Sequence, residues 1–142
     1  MLTWTNCQEH VDWAELETVY RLAPLGNKSA ALLKLVFGNS RYKWFVYDAG
    51  KLVAAGRALA DGADCSYICD VAVLPSHQGQ GLGKELVSRL VADSKEHKKI
   101  ILYAVPGKEA FYAKLGFLHM LTAMAIFQDP ETAIKRGHLR HA

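Results

Sequence analysis

The sequence predicts a mixed α/β (α+β) domain in which a central sheet is flanked by about four helices. β-rich runs joined by glycine-containing turns alternate with helical patterns along the chain. The 142 residues are 51% hydrophobic and 22% charged, and no repeat or linker interrupts them. A chain of this size buries about two thirds of its unfolded surface and needs neither disulfides nor a structural metal. We therefore expect residues 1–142 to form one domain.

Two helices are predicted near the start of the chain, over residues 11–23 and 28–37. Apolar residues of the second pattern recur at the spacing of one helical face. Turn-forming residues, Pro24, Gly26 and Asn27, separate the two patterns. The chain is therefore expected to open with two helices before its first strand.

Three strands are expected next, over residues 42–47, 52–59 and 66–74. The first two are joined by Asp48-Ala49-Gly50-Lys51, which is typical of a hairpin with a short glycine-containing loop. The third stops at Pro75, because proline cannot donate a hydrogen bond to a strand ladder. These runs predict a β-meander.

The second half of the chain is predicted to contain four elements and a tail. They are an amphipathic helix from a glycine-rich turn to about His97, a central strand over 100–105, a helix over 108–115 and a last strand over 120–127. The run 100–105 is apolar without interruption, which is typical of a strand covered on both faces. Residues 129–142 are polar and basic, and we expect a loose end there.

Charge and hydropathy exclude some classes of protein. The net charge of +3 is too small and too evenly spread for a nucleic-acid-binding surface. No apolar run approaches the roughly 20 residues of a membrane span, and the N-terminus lacks the pattern of a signal peptide. We therefore expect a cytoplasmic protein without nucleic-acid or membrane partners.

The cysteines favour free thiols. The chain has an odd number of cysteines, Cys7, Cys65 and Cys69. They form no CxxC motif, and no histidine lies at the spacing of a metal site beside them. We therefore expect neither a disulfide nor a bound metal.

A glycine-rich turn between a strand and a helix is the most informative stretch. It contains Gly79, Gly81 and Gly83, and Lys84 adds a positive charge at the helix start. Glycines let the backbone approach a ligand closely, and the first N–H groups of a helix attract a phosphate. The turn therefore suits a phosphate or pyrophosphate, although the glycines could also serve only to shape a tight turn.

The spacing of the glycines distinguishes between the known phosphate-binding motifs. A P-loop requires GxxxxGK[ST] and a dinucleotide fold GxGxxG, and Gly-Gln-Gly-Leu-Gly-Lys-Glu fits neither. The pattern Gln-x-x-Gly-x-Gly over 78–83, directly after a strand ending in Val-x-Pro, resembles the GNAT superfamily of N-acetyltransferases. Phe-Tyr-Ala-Lys-Leu-Gly-Phe over 111–117 resembles the second landmark of that family, about thirty residues later. The resemblance covers residues 66–127.

The resemblance implies a mostly antiparallel sheet splayed around acetyl-CoA. It implies that backbone groups of Val71, Ala72 and Val73 meet the pantetheine arm. It also implies that the turn cradles the pyrophosphate through Gln78, Gly79, Gln80, Gly81, Leu82, Gly83 and Lys84. An extended amide chain can pair with a strand edge, and a diphosphate needs oriented N–H donors.

Acetyl transfer to an amine needs a proton donor for the departing thiolate. Tyr112 lies where the family usually places a tyrosine beside the sulfur of CoA, so the resemblance implies that it is the general acid. Without the resemblance, a packing tyrosine on a short helix is the ordinary interpretation.

The general base is less well defined by the sequence. Asp70 precedes the cofactor-facing residues and could orient a cationic amine or relay its proton, but it could equally be a hydrogen-bonded strand residue. Glu109 and His77 are weaker candidates. Many family members hold a catalytic Asn after the next strand, and this chain has Val105-Pro106-Gly107 there instead.

These observations lead to a prediction of function. We expect an acetyl-CoA-dependent N-acetyltransferase that acts on a primary amine of a small molecule by direct transfer in a ternary complex. A protein N-terminal or lysine acetyltransferase and a non-catalytic CoA-binding module remain open, as does a homodimer. Arg41 and Arg57 are candidate anion contacts of the acceptor. Trp4, Trp13, Trp44 and Phe37 are candidates for an arylamine pocket, with core packing as the alternative.

Overall fold

The computed structural model describes all 142 residues. The elements are β1 (Leu2–Thr5), α1 (Trp13–Leu22), α2 (Ala30–Gly38), β2 (Tyr42–Asp48), β3 (Lys51–Ala60), β4 (Cys65–Val73), a short 3₁₀ turn (Pro75–His77), α3 (Leu82–Asp93), β5 (Lys99–Ile101), α4 (Glu109–Ala113) and α5 (Pro130–Lys135). No helix combines the length and the hydrophobicity that a membrane span needs. The chain divides into two compact units, Met1–Leu102 and Tyr103–Ala142, which are described separately.

The first unit contains one five-stranded sheet. Its strands follow the order β1-β2-β3-β4-β5, and every neighbouring pair is antiparallel except β4 with β5, which is parallel. Ala49 and Gly50 both have positive φ in the turn between β2 and β3, as a tight hairpin turn requires. The predicted fold class, a mixed and mostly antiparallel sheet flanked by helices, is confirmed.

The two N-terminal helices begin at capping residues. The Asp12 carboxylate accepts hydrogen bonds from the first turn of α1, and the Ser29 hydroxyl accepts one from the N–H of Leu32 in α2. Their apolar faces pack on the sheet, and Leu16, Leu33 and Phe37 are fully buried. Both helices were therefore predicted correctly to within a few residues.

The helix α3 packs on β2, β3 and β4. Its buried face consists of Leu82, Leu86, Val87 and Leu90. The predicted apolar stripe also included Val91, which is only half-buried. Burying an apolar side chain of this kind stabilises the fold by about 1.5–3 kcal/mol. The helix ends at Asp93 instead of near His97, because the N–H groups of Lys95 and His97 donate to carbonyls three residues back instead of four, as in tight turns.

Two strand predictions in the second half are wrong. The strand β5 spans three residues at the edge of the sheet, and it is not the central strand expected over 100–105. Residues 120–127 form no strand, since no other strand lies in the second unit to supply a ladder. The missed strand β1 pairs with β2, so the first strand precedes both helices.

The polar tail is not a loose end. It forms the helix α5, which begins at Asp129 with Pro130 in its first turn, and the Asp129 carboxylate accepts the N–H of Thr132 at 3.1 Å. An acidic cap followed by proline is a common helix start. Gly137 has φ +82° and ends the helix, where the N–H of His138 donates to Ala133.

Candidate functional site

A bulge interrupts β4 at Asp70. Arg57 of β3 pairs with Cys69 and Ala55 pairs with Ala72, so that Asp70 and Val71 together face one residue, Gly56. Asp70 has φ +55°, which is strained for a residue with a side chain. A Cβ at Gly56 would lie 3.3 Å from the Val71 side chain, so glycine permits the close approach.

The strands β4 and β5 separate beyond the bulge. They pair only over Cys65–Tyr67 and Lys99–Ile101, which leaves residues 68–73 of β4 without a strand partner on that side. The Gln78 side-chain amide donates to the carbonyl oxygen of Val73 at 3.0 Å. This contact ties the end of β4 to the glycine-rich turn, which gives Gln78 a structural role.

The turn presents a run of free N–H groups at the start of α3. Gly79 and Gly81 have φ of +79° and +83°, and a Cβ at either would meet no protein atom within 4 Å. No backbone N–H from Gly79 through Lys84 donates a hydrogen bond within the protein, and α3 has no side-chain cap. The Lys84 side chain is exposed and forms no ion pair. This is an open, positively polarised helix start suited to an anion.

The Asp70 carboxylate is held by cations. One oxygen lies 2.8 Å from Arg57 Nε, and the other lies 3.4 Å from the Lys28 ammonium, on the loop between α1 and α2. Arg57 is buried and also donates to the Ser40 hydroxyl. The Tyr20 hydroxyl donates to the Asp70 carbonyl oxygen. These contacts fix the strained residue, and Arg57 is therefore not available as an anion contact of the acceptor.

Burial raises the pKa values of two groups beside Asp70, Cys69 and Tyr20. It raises the pKa of the Cys69 thiol to about 11 and, with the charge of Asp70, raises the pKa of Tyr20 well above its ordinary value. Cys69 therefore stays a thiol at neutral pH. A thiol in that state is a poor nucleophile, which fits a site without a covalent cysteine intermediate.

The two weaker base candidates have local partners. His77 Nε2 lies 2.8 Å from an Asp48 carboxylate oxygen, and hydrogen bonds from His77 and the N-terminal amine lower the pKa of Asp48. Glu109 accepts the backbone N–H of Gly107 at 2.8 Å. His77 thus ties the 3₁₀ turn to the end of β2, and Glu109 shapes the turn before α4.

Tyr112 belongs to the second unit. Its ring contacts Phe111 and Phe117, with centroid separations of 5.0 Å and 5.9 Å. Burial raises the pKa of Tyr112 above the ordinary value for tyrosine. Its hydroxyl is therefore protonated at neutral pH, as a proton donor must be.

The three tryptophans pack against the hydrophobic core. Trp4 and Trp44 enclose the guanidinium of Arg89, at 4.3 Å and 4.7 Å from their ring centroids, and Trp13 packs on Phe37 and Phe45. Core packing is the correct interpretation. Arg41 lies against Gly62 and the ring of Tyr42.

The profile of the Acetyltransferase (GNAT) family matches residues 4–117, which is most of the chain. The chain belongs to the GNAT acetyltransferase family. Its members use acetyl-CoA as acetyl donor, and the free N–H groups of the turn together with the unpaired edge of β4 fit a diphosphate and an extended amide chain.

Two curated plant relatives illustrate the match. Serotonin N-acetyltransferase 2, chloroplastic, of Oryza sativa subsp. japonica is 48% identical over 71 residues, which are 49% of this chain and 36% of the relative. GCN5-related N-acetyltransferase 1, chloroplastic, of Arabidopsis thaliana is 32% identical over 114 residues, which are 78% of this chain and 58% of the relative. The match of this GNAT chain thus spans between 36% and 58% of the length of these relatives.

Solved structures share the fold. A probable acetyltransferase of Staphylococcus aureus superimposes with a TM-score of 0.80 at 22% identity, covering 89% of this chain and 98% of that chain. Glucosamine-6-phosphate N-acetyltransferase of Arabidopsis thaliana superimposes with a TM-score of 0.67 at 19% identity, covering 91% and 99%. At these identities the likeness shows the fold alone.

Sequence reasoning missed the residues that hold Asp70. Asp70 lies 42 positions from Lys28, 13 from Arg57 and 50 from Tyr20 in the sequence. A lone arginine within an otherwise apolar strand was the available signal, because a buried charge needs a partner. The assigned roles of Tyr112, Asp70 and the turn residues stay predictions, as does the absence of a metal.

Proposed function

We propose that the protein transfers the acetyl group of acetyl-CoA to a primary amine of a small molecule by direct transfer in a ternary complex. The observation that carries the proposal is the continuous run from the bulged strand β4 through the left-handed Gly79 and Gly81 into α3. It presents unpaired N–H groups of six consecutive residues, Gly79 through Lys84. Oriented donors of this kind bind a diphosphate without further rearrangement.

The contact between Lys28 and Asp70 supports an amine acceptor. A primary ammonium already lies at the Asp70 carboxylate, and its 3.4 Å distance is long for an ion pair. The loop that carries Lys28 begins directly after α1, so the cation is not fixed by regular structure. An acceptor ammonium would take the place of Lys28 at this oxygen while Arg57 keeps the other one.

The chemistry assigns a separate task to each group. Asp70 orients the acceptor and takes up a proton of its ammonium, directly or through water, which frees the nitrogen lone pair. The nitrogen then bonds to the acetyl carbon as the carbon–sulfur bond breaks. A backbone N–H of Val71 or Ala72 stabilises the developing oxyanion. Tyr112 donates a proton to the thiolate and takes back the second proton that the acylated nitrogen loses, while the proton on Asp70 passes to solvent. The products are the N-acetylated amine, CoA thiol and one proton released to solvent.

The names of the relatives indicate several classes of acceptor to test. One is named for serotonin and others for glucosamine 6-phosphate or for histones. The test is CoA thiol release across arylalkylamines, polyamines, plain and phosphorylated aminosugars, amino acids and short peptides. We expect one class of small cationic amine to exceed the background. A response to peptides alone would make the protein a peptide acetyltransferase, and silence with retained CoA binding would make it a CoA-binding module.

Lys28→Met tests the role of Asp70. Removing the competing ammonium should lower KM for a cationic amine severalfold and leave the dissociation constant of acetyl-CoA unchanged. Lys51→Met, at the exposed first residue of β3, removes the same charge elsewhere and is the matched control. An unchanged or higher KM in Lys28→Met would exclude displacement of Lys28 by the acceptor.

A further inference from the structure

Tyr20 of α1 contacts the main chain of the β4 bulge. Its hydroxyl donates to the backbone carbonyl oxygen of Asp70, although the two residues are 50 positions apart in the sequence. The other two partners, Arg57 and Lys28, bind the Asp70 carboxylate. Tyr20 therefore acts on the peptide group that follows Asp70, and not on its side chain.

The carbonyl of Asp70 and the N–H of Val71 belong to that one peptide group. The group is planar and trans, since the chain contains no cis peptide bond, so its C=O and N–H point in opposite directions. A donor that fixes the direction of the carbonyl oxygen therefore also fixes the direction of the Val71 N–H. The hydrogen bond to the oxygen polarises the peptide group as well, which makes the N–H a stronger donor.

Regular strand pairing does not hold this peptide group in place. Asp70 and Val71 have no register partner in β3, and β5 pairs with β4 only as far as Tyr67. Asp70 also has φ +55°, a conformation that persists only where surrounding contacts stabilise it. The direction of the Val71 N–H therefore depends on contacts from outside the sheet.

The Tyr20 side chain is a rigid donor. It is 1% exposed, and its ring packs on Phe37 with the two centroids 6.3 Å apart. The helix that carries it packs on β3 and β4. Burial and the charge of Asp70 raise the pKa of Tyr20 well above its ordinary value, so the hydroxyl keeps its proton. The hydroxyl is thus held in one position next to the bulge.

We propose that Tyr20 is a positioning residue for acetyl transfer, whose hydroxyl fixes the Asp70–Val71 peptide group so that the Val71 N–H donates to the acetyl carbonyl oxygen of acetyl-CoA. The inference rests on the proposed function, and it selects Val71 over Ala72 as the donor to the developing oxyanion. A donor that is already aimed needs no reorganisation when the charge develops. Tyr20 acts through the peptide group and transfers no proton.

The variant Tyr20→Phe removes the hydroxyl and keeps the ring. We expect kcat for an amine acceptor to fall by about tenfold or more, because the oxyanion donor is no longer aimed. The KM for the amine and the dissociation constant of acetyl-CoA should stay the same. Ser66→Ala is the matched control, since it removes another fully buried hydroxyl of β4, which is hydrogen-bonded to Ser94. It should lower the melting temperature as Tyr20→Phe does, but keep the wild-type kcat.

The NMR signal of the Val71 amide provides a measurement that needs no turnover. In the wild-type chain, acetyl-CoA should move the amide proton to lower field than CoA does, because only acetyl-CoA supplies the carbonyl acceptor. This difference between the two ligands should persist in Ser66→Ala and be lost in Tyr20→Phe. The wild-type spectra alone can contradict the proposal, even if Tyr20→Phe does not fold.

The outcomes distinguish this inference from the proposed function. If acetyl-CoA binds and the Val71 amide responds equally to both ligands, or if Tyr20→Phe keeps both kcat and the amide response, the positioning role is wrong while acetyl transfer stands. If no amine is acetylated but the amide response still depends on the Tyr20 hydroxyl, the positioning role stands and the proposed function is wrong. A chain that does not bind acetyl-CoA would overturn both.

Discussion

Tyr112 is half-buried beside Phe111 and Phe117, and this burial keeps its hydroxyl protonated. If the hydroxyl donates a proton to the departing thiolate, Tyr112→Phe removes that proton and little else. We expect kcat to fall by about a hundredfold while the dissociation constant of acetyl-CoA stays the same. Because the pKa of Tyr112 is raised, ionisation of this group should cause no loss of kcat below about pH 10.

Tyr47→Phe is the matched control for that experiment. Tyr47 lies in β2, and burial raises its pKa as well, so the substitution removes a comparable hydroxyl. Its kcat should equal that of the wild type. A Tyr112→Phe variant with the same kcat as Tyr47→Phe would remove Tyr112 from the mechanism.

Individual residues also show where sequence reasoning ends. Gly79 and Gly81 were predicted to shape a ligand turn from their place between a strand and a helix and from the GNAT resemblance, and both have the positive φ that favours glycine. The partners of Asp70 could not be predicted, because they come from α1, the following loop and β3. Contacts between such distant positions depend on the packing of whole elements.

At the scale of elements, the glycine-rich turn can be tested by paired substitutions at Gly81. Ala and Asp both place a Cβ at φ +83°, where it meets no protein atom. Each should cost about 1–2 kcal/mol of stability through backbone strain. Only Asp adds a negative charge beside the N–H groups, so Gly81→Asp should weaken acetyl-CoA binding at least about tenfold further than Gly81→Ala. Calorimetric titration gives both affinities.

Gly50→Asp controls for strain in this comparison. Gly50 has φ +84° in the β2–β3 turn and equally open surroundings. It should lose similar stability and keep its affinity for acetyl-CoA. Equal affinities in Gly81→Ala and Gly81→Asp would show that the diphosphate binds elsewhere.

The elements that local patterns specify were predicted, and those that depend on partners were not. The helices α1, α2 and α3 have apolar stripes, so their sequence suffices to place them, although α3 ends before the predicted His97. The apolar runs 100–105 and 120–127 look like strands, but a strand forms only where another strand supplies hydrogen bonds. In this chain the first run pairs only at Ile100 and Ile101, and the second does not pair.

At the scale of the whole molecule, the two units differ in how they can be stabilised. The core residues lie almost entirely within Met1–Leu102, and the second unit buries one alanine. A unit without a core cannot unfold in a cooperative transition of its own. We therefore expect one endotherm in differential scanning calorimetry, in agreement with the single domain predicted for residues 1–142.

Acetyl-CoA should move that single transition as a whole. At a concentration 100 times its dissociation constant, a ligand that binds only the folded state adds about 2.7 kcal/mol of stability, which corresponds to roughly 5–11 °C for a chain of this size. Pantetheine lacks the phosphates. At the same molar concentration it should raise the melting temperature much less than acetyl-CoA does, because the free N–H groups of the turn would stay unpaired. A second endotherm that acetyl-CoA leaves in place would show that Tyr103–Ala142 has stability of its own and that the chain is not one domain. Equal shifts with pantetheine and acetyl-CoA would show that the turn contributes nothing to binding.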